Sequence, residues 1–137
     1  MRRRKPVLGK ESILKIDKDC FVEYDWIRDY VRMTIATCLL RGIEVMRIQM
    51  SCTRKGFHFY IDVDPPVEAE LADRLQLLLG DDCGRVDRNR ARIRSGLNGW
   101  NKLFEKPGVR LRTIYRVNRT GNMTKHSRTQ RLNSFVT

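Results

Sequence analysis

Two alternating runs flank a four-residue turn in "IEVMRIQMSCTRKGFHFYIDVD", residues 43–64, and no other stretch restricts the possible folds so tightly. Side chains along a strand point alternately to its two faces. Phe57, Phe59, Ile61 and Val63 therefore make an apolar row, and His58, Tyr60, Asp62 and Asp64 an ionisable row behind it. In the run before the turn, Met46, Ile48 and Met50 fall on one side and Arg47, Gln49 and Ser51 on the other. "TRKG" (53–56) reverses the chain, which predicts an antiparallel hairpin with one greasy and one polar face.

The remaining segments supply partners for that hairpin. "ESILKIDKD" (11–19) sets Leu14 and Ile16 against Ile13, Lys15, Asp17 and Asp19, the pattern of a first strand. Residues 23–42 carry Ile27, Val31, Ile35, Cys38 and Leu39 at helical spacing, with Gly42 as a stop. In "DPPVEAELADRLQLLLG" (64–80), Asp64 is expected to cap a second helix. Its prolines stand at the entrance, Val67, Leu71, Leu75 and Leu78 on the buried side, and Gly80 at the end. "LLLGDD" (77–82) is read as a helix stop followed by caps of the next, shorter basic helix, within residues 81–96. A loop over 97–108 is expected to tuck Trp100 and Phe104 inward, before a fourth strand at 109–117. The order β-α-β-β-α-α-β predicts an α+β fold: a small antiparallel sheet with helices on one face, of the ferredoxin or RNA-recognition-motif kind.

Charge divides the chain. The net charge is +12, yet residues 1–10 hold five Lys/Arg and no acid, and residues 106–137 hold eight and no acid. The 15 Lys/Arg and 16 Asp/Glu between them nearly cancel. This predicts a basic N-terminal arm (1–10), a single domain (11–117) and a flexible basic C-terminal tail (118–137). Basic ends on a neutral body suit a polyanion, because each neutralised phosphate releases condensed counterions. No run of 18 uncharged apolar residues predicts a membrane span. "MRRRKPVLGK" lacks the apolar stretch of a secretory signal, so a cytoplasmic, non-membrane location is expected. Cys20, Cys38, Cys52 and Cys83 show no metal-ligand spacing and read as free, mostly buried thiols. No glycine-rich phosphate loop, Ser/His/Asp spacing or H-E-x-x-H points to a hydrolase or oxidoreductase.

If the helices cover one sheet face, the other displays Lys15, Asp17 and Asp19, then Arg47, Gln49 and Ser51, then His58, Tyr60 and Asp62. Two aspartates two positions apart on a strand project from the same side, and paired carboxylates suit a hard cation such as Mg²⁺ or Mn²⁺. Such a cation neutralises charge in phosphoryl transfer. "ILKIDKD" resembles the hydrophobic-Asp-x-Asp metal motif of the archaeo-eukaryotic primase family. "SCTRKGFHFYI" is similar to that family's second motif, a small-residue turn and a basic-Gly-x-His run entering a strand. "RVDRNRARIRSGLNG" resembles the third in outline. The likeness spans residues 11–100 and implies a minimal or inactivated relative of the primase palm. In it Asp17 and Asp19 would hold Mg²⁺ or Mn²⁺, Asp87 would be the third catalytic carboxylate, and His58, with Lys55 and Ser51, would meet nucleotide phosphates. Cys52 and Thr53 stand where that family carries Ser-Gly, and the α/β unit that precedes its metal motif has no counterpart here.

The principal expectation is a nucleic-acid-binding protein, taking single-stranded DNA or RNA on an open sheet face and on basic side chains, in replication or the maintenance of a mobile element or virus. Tyr60 is the candidate for base stacking. Arg47, Arg85, Arg88, Arg92, Arg94, Arg110, Arg112 and Arg116 are the candidates for phosphate contacts. One rival is an enzyme, a metal-dependent nucleotidyltransferase of primase type. The other is a structural nucleoprotein or ribosome-associated factor.

Overall fold

The computed structural model describes residues 8–20 and 23–118. Residues 1–7 and 119–137, and with them most of both basic ends and His126, lie outside the described residues. Among the described residues seven elements follow the expected order: β1 (Glu11–Lys18), α1 (Tyr24–Leu39), β2 (Glu44–Cys52), β3 (Phe57–Val67), α2 (Ala69–Leu78), α3 (Cys83–Arg94) and β4 (Arg112–Arg116). The strands form one antiparallel sheet in the order β1-β3-β2-β4, an α+β architecture of ferredoxin/RRM-like topology.

The hairpin register pairs Ser51 with His58 and Gln49 with Tyr60, and β1 joins the other side of β3 with Asp17 opposite His58 and Lys15 opposite Tyr60. One face carries Leu14, Ile16, Ile48, Met50, Phe59, Ile61 and Val63 into the core, where Ile27, Tyr30, Val31 and Cys38 of α1 and Ala72 and Leu75 of α2 meet them. Tyr30 stacks on Phe59 with ring centroids 4.5 Å apart, and its hydroxyl donates to the Leu79 carbonyl at 2.7 Å. That bond ties α1 to the end of α2. Trp26 stacks on Tyr30 in turn at 5.0 Å.

All three helices stop in the same way. At Gly42, with φ of 71°, the Gly42 amide donates to Leu39 and the Ile43 amide to Cys38, the paired bonds of a Schellman ending, for which the left-handed conformation favours glycine. Gly80 and Gly96 repeat that pair. Asp82 caps α3, its carboxylate accepting from the Arg85 amide at 2.9 Å.

Several expectations shift. A bulge between Val45 and Arg47 inserts Met46, so Val45 rather than Met46 joins Ile48 and Met50 inside. In α1, Tyr30 and Thr34 are buried while Leu39 is 65% exposed. Asp64 does not cap α2: β3 runs on through both prolines to Val67, where it pairs with Glu11, and Glu68 precedes the helix. Leu71 and Leu78 consequently face outward, and α2 buries Ala69, Ala72, Asp73, Leu75 and Gln76 instead. Of the thiols only Cys38 is buried, its pKa pushed up to about 11 by burial; Cys52 and Cys83 are exposed.

With β4 seated on β2, β1 is left as a sheet edge, and its outward backbone groups need partners. Three side chains and one backbone amide provide them. Gln76 Oε1 accepts from the Lys15 amide (3.0 Å) and Asp81 Oδ1 from the Asp17 amide (2.8 Å). Arg85 Nη1 donates to the Lys15 carbonyl (3.0 Å) and the Asp82 amide to the Asp17 carbonyl (3.1 Å). Arg85 also pairs with Asp81 at 2.6 Å and donates to Asn101 Oδ1 and the Lys102 carbonyl. Gln76, Asp81, Arg85 and Asn101 are all buried, so this network replaces a fifth strand and fastens the segment after α3 to β1.

Candidate functional site

The chain leaves α3 beside β1 and must reach β4 at the opposite edge of the sheet. Trp100 anchors the crossing in the core, and Asn101 anchors it on β1, its carbonyl accepting from Lys15 Nζ at 2.9 Å and its Nδ2 donating to the Ile13 carbonyl at 3.4 Å. The strap then passes over the polar face and sets Glu105 on it. Glu105 Oε1 accepts from Ser51 Oγ at 2.6 Å, from Tyr60 Oη at 2.7 Å and pairs with His58 Nδ1 at 2.7 Å. On the other side of the imidazole, Nε2 stands 3.3 Å from Asp17 Oδ1. His58 thus bridges two carboxylates. With the Nδ1 proton given to Glu105, a second proton must lie between Nε2 and Asp17 for that contact to attract.

The carboxylates on the two sides differ. Burial pushes the Asp17 carboxyl above its ordinary range, the charge of Asp19 adds to the rise, and His58 opposes it. Burial also raises Glu105, but the hydrogen bonds from Ser51, Tyr60 and His58 outweigh it and hold Glu105 below the ordinary range. Tyr60 moves far up, from burial first and then from its bond to Glu105. Asp17 Oδ1 is buried, and its partner on this side is the 3.3 Å contact with His58 Nε2, which falls short of a full hydrogen bond.

Beside this cluster opens a cavity of about 560 Å³, walled by Asp17 and Asp19 from the end of β1, Arg54 and Lys55 from the β2–β3 turn, and Glu105 and Lys106 from the strap. His58, Cys52 and Thr53 line it too, with Phe104 and Val109 as its apolar side. The turn is held against β1 through Gly56, where a Cβ would stand 2.0 Å from the Lys18 carbonyl oxygen and 2.6 Å from the Cys20 amide nitrogen. Only glycine allows that approach, and the approach puts two cations beside two acids. Thr53 locks the turn by accepting from the Gly56 amide at 2.9 Å. The volume lies within the range of small-molecule sites.

The expected site residues separate into groups. Asp17, Asp19, His58, Lys55 and Ser51 come together at or beside the cavity. Asp87 is exposed on α3 and does not line it; the third acid beside His58 is Glu105. Arg85, expected to face phosphates, is buried in the edge network. Arg88 lies 4.0 Å from Asp82, Arg92 bonds Asn89, and Arg94 lines a separate cleft with Arg74 and Arg90. Arg47 is held by Asp62 at 2.6 Å; Arg110, Arg112 and Arg116 are exposed along the β4 side. Tyr60 is half-buried and engaged by Glu105, so the polar face is roofed at its His58 end instead of open. Trp100 is buried as expected, whereas Phe104 is 87% exposed at the lip of the cavity.

Asp17 and Asp19 offer hard oxygen donors at the cavity wall, the ligand type that suits a divalent cation. Among the described residues no three acidic, histidine or cysteine groups converge to hold a metal unaided. The pair therefore fits Mg²⁺ or Mn²⁺ in the manner of a cation that takes its other ligands from phosphate and water. Among the described residues no helix is long and apolar enough to cross a membrane. Comparison with family models, with curated proteins and with solved structures gives no significant match.

Proposed function

We propose that this protein binds nucleic acid, single-stranded DNA or RNA, and receives its phosphates in the cavity between the end of β1, the 53–56 turn and the strap. The observation that carries the reading is the convergence there of Arg54, Lys55, Lys106 and His58 with the paired Asp17 and Asp19. Cations and an imidazole donor suit phosphate oxygens, the acid pair suits a phosphate-bound cation, and Phe104 at the lip offers a ring to a base. Exposed Arg110, Arg112 and Arg116 extend the positive surface toward β4. Anisotropy titrations of a labelled single-stranded oligonucleotide test it: Lys55→Ala combined with Lys106→Ala is expected to weaken binding about tenfold, and unchanged affinity in that double variant refutes the site.

A second reading is favoured by one specific feature, the 3.3 Å approach of Asp17 to His58 across paired strands. It places the acids of the Asp-x-Asp run beside the histidine of the basic-Gly-x-His run, as the resemblance to the primase palm implies for a nucleotidyltransferase. In that reading Asp17 and Asp19 would hold Mg²⁺ or Mn²⁺, which neutralises phosphate charge when bound, and His58 donates to a phosphate oxygen. Metal-dependent nucleotide incorporation that disappears in Asp17→Ala would establish it. Binding without incorporation leaves the first reading alone.

A further inference from the structure

Ser51, His58 and Tyr60 belong to two neighbouring strands, and all three meet a single oxygen, Glu105 Oε1, at 2.6, 2.7 and 2.7 Å. Ser51 is 1% exposed and His58 8% exposed, so these groups require an acceptor at that point or stand buried and unsatisfied. A point where three groups converge on one anionic oxygen is a site for a phosphoryl oxygen as much as for a carboxylate. The group that fills it belongs to the strap, which has no regular structure between Leu97 and Leu111. Its neighbours on either side, Phe104 and Lys106, are exposed, so the strap's firm anchors are upstream at Trp100 and Asn101 and downstream in β4. Glu105 also walls the cavity whose other sides are the basic turn and the acid pair.

We propose that Glu105 is an internal stand-in for phosphate, a latch that occupies the Ser51–His58–Tyr60 site and is displaced when a phosphate-bearing ligand enters the cavity. The inference rests on the phosphate-binding reading above and adds its regulation. A ligand that must first displace the latch binds with an apparent affinity reduced by the fraction of molecules in which the latch is open. Once Glu105 swings away, its charge leaves the site, its place is taken by a phosphate oxygen, and the 104–109 segment is freed.

The test compares the intact chain with Glu105→Ala and Glu105→Asp, using inorganic tripolyphosphate and magnesium ATP as probes in calorimetric titrations. Aspartate keeps the charge but is one methylene too short to reach all three partners from the same backbone position. A latch predicts that both variants bind about tenfold tighter than the parent, as for an open fraction near one in ten. General electrostatics predicts a gain for Glu105→Ala alone, and that pattern overturns the latch. Parent binding with no gain, or a loss, in both variants also overturns it while leaving the phosphate site standing. Absence of binding by all three chains overturns both. As a second measurement, amide exchange of residues 104–109 is expected to accelerate when tripolyphosphate saturates the parent; unchanged exchange in a saturated sample argues against displacement.

Discussion

Asp17 and Glu105 flank one imidazole, yet their titrations pull stability in opposite directions. Because the folded Asp17 carboxyl binds its proton more tightly than the unfolded one, the native state loses stability as pH rises from the ordinary aspartate range through the raised folded value. Asp17→Asn is therefore expected to melt higher than the parent at pH 7 and level with it near pH 3. Glu105 is held down by its partners, so its contribution is complete above the ordinary glutamate range and is lost as pH falls through the lowered folded value. Glu105→Gln should melt lower at pH 7, with the gap closing in acid. Melting curves of the two variants between pH 3 and 8 check both signs, and a lower midpoint for Asp17→Asn at pH 7 would mean that the His58 contact outweighs burial. Gly56 makes a third case. A methyl group there meets the Lys18 and Cys20 backbone, which cannot move aside as a flexible side chain does. Gly56→Ala should cost about 3 kcal/mol in urea unfolding, the upper part of the range for overpacking.

The edge of β1 shows why a helix can carry a poor apolar stripe and still be well placed. The buried side of α2 mixes Leu75 with Gln76 and Asp73, and α3 turns Arg85 inward together with Val86 and Ile93. Gln76 and Arg85 serve the open backbone of β1, whereas Asp73 faces Asn89 of α3, and the Arg85–Asp81 pair has its remaining bonding capacity taken up by Lys15, Asn101, Lys102 and the Asp17 amide. Removing one partner of a buried pair leaves an uncompensated charge, so Arg85→Met is expected to cost about 3–5 kcal/mol in chemical denaturation. It should also speed amide exchange at Lys15 and Asp17, the two β1 amides that donate to Gln76 and Asp81 in this network. Little of this was legible beforehand, because a heptad-like stripe of leucines describes a helix packing on apolar partners alone, and α2 divides its inner side between the core and a strand edge.

Across the molecule, the decisive fact is that β1 and β4 occupy opposite edges of the sheet. A chain going from one to the other has to cross a face, and the helices fill the apolar one. The strap therefore runs over the polar face and converts a flat surface into a roofed cavity with a basic wall. If nucleic acid is the ligand, affinity should fall linearly with the logarithm of salt concentration, each phosphate contact contributing about 0.7 to the slope for a single strand. Deleting residues 1–7 and 119–137 is expected to flatten that slope while leaving cavity binding of tripolyphosphate unchanged; an identical slope would leave the basic ends with no part in binding.

The strands, the hairpin and the helix stops were written locally. Alternation fixes which side chains share a face, so Lys15, Asp17, Ser51, His58 and Tyr60 were legible as one surface before any register was known. Glycines at 42 and 80 marked helix ends for a similar reason: the left-handed ending is a property of one residue and its neighbours. The identity of the third acid was not written in this way. Glu105 lies in an aperiodic segment, and "LFEKPG" says nothing about where it will lie until strand order determines what it must cross. Periodicity encodes direction over a few residues, whereas the meeting of Glu105 with His58, 47 positions apart, depends on how the sheet closes and on the Arg85 network that pins the strap to β1.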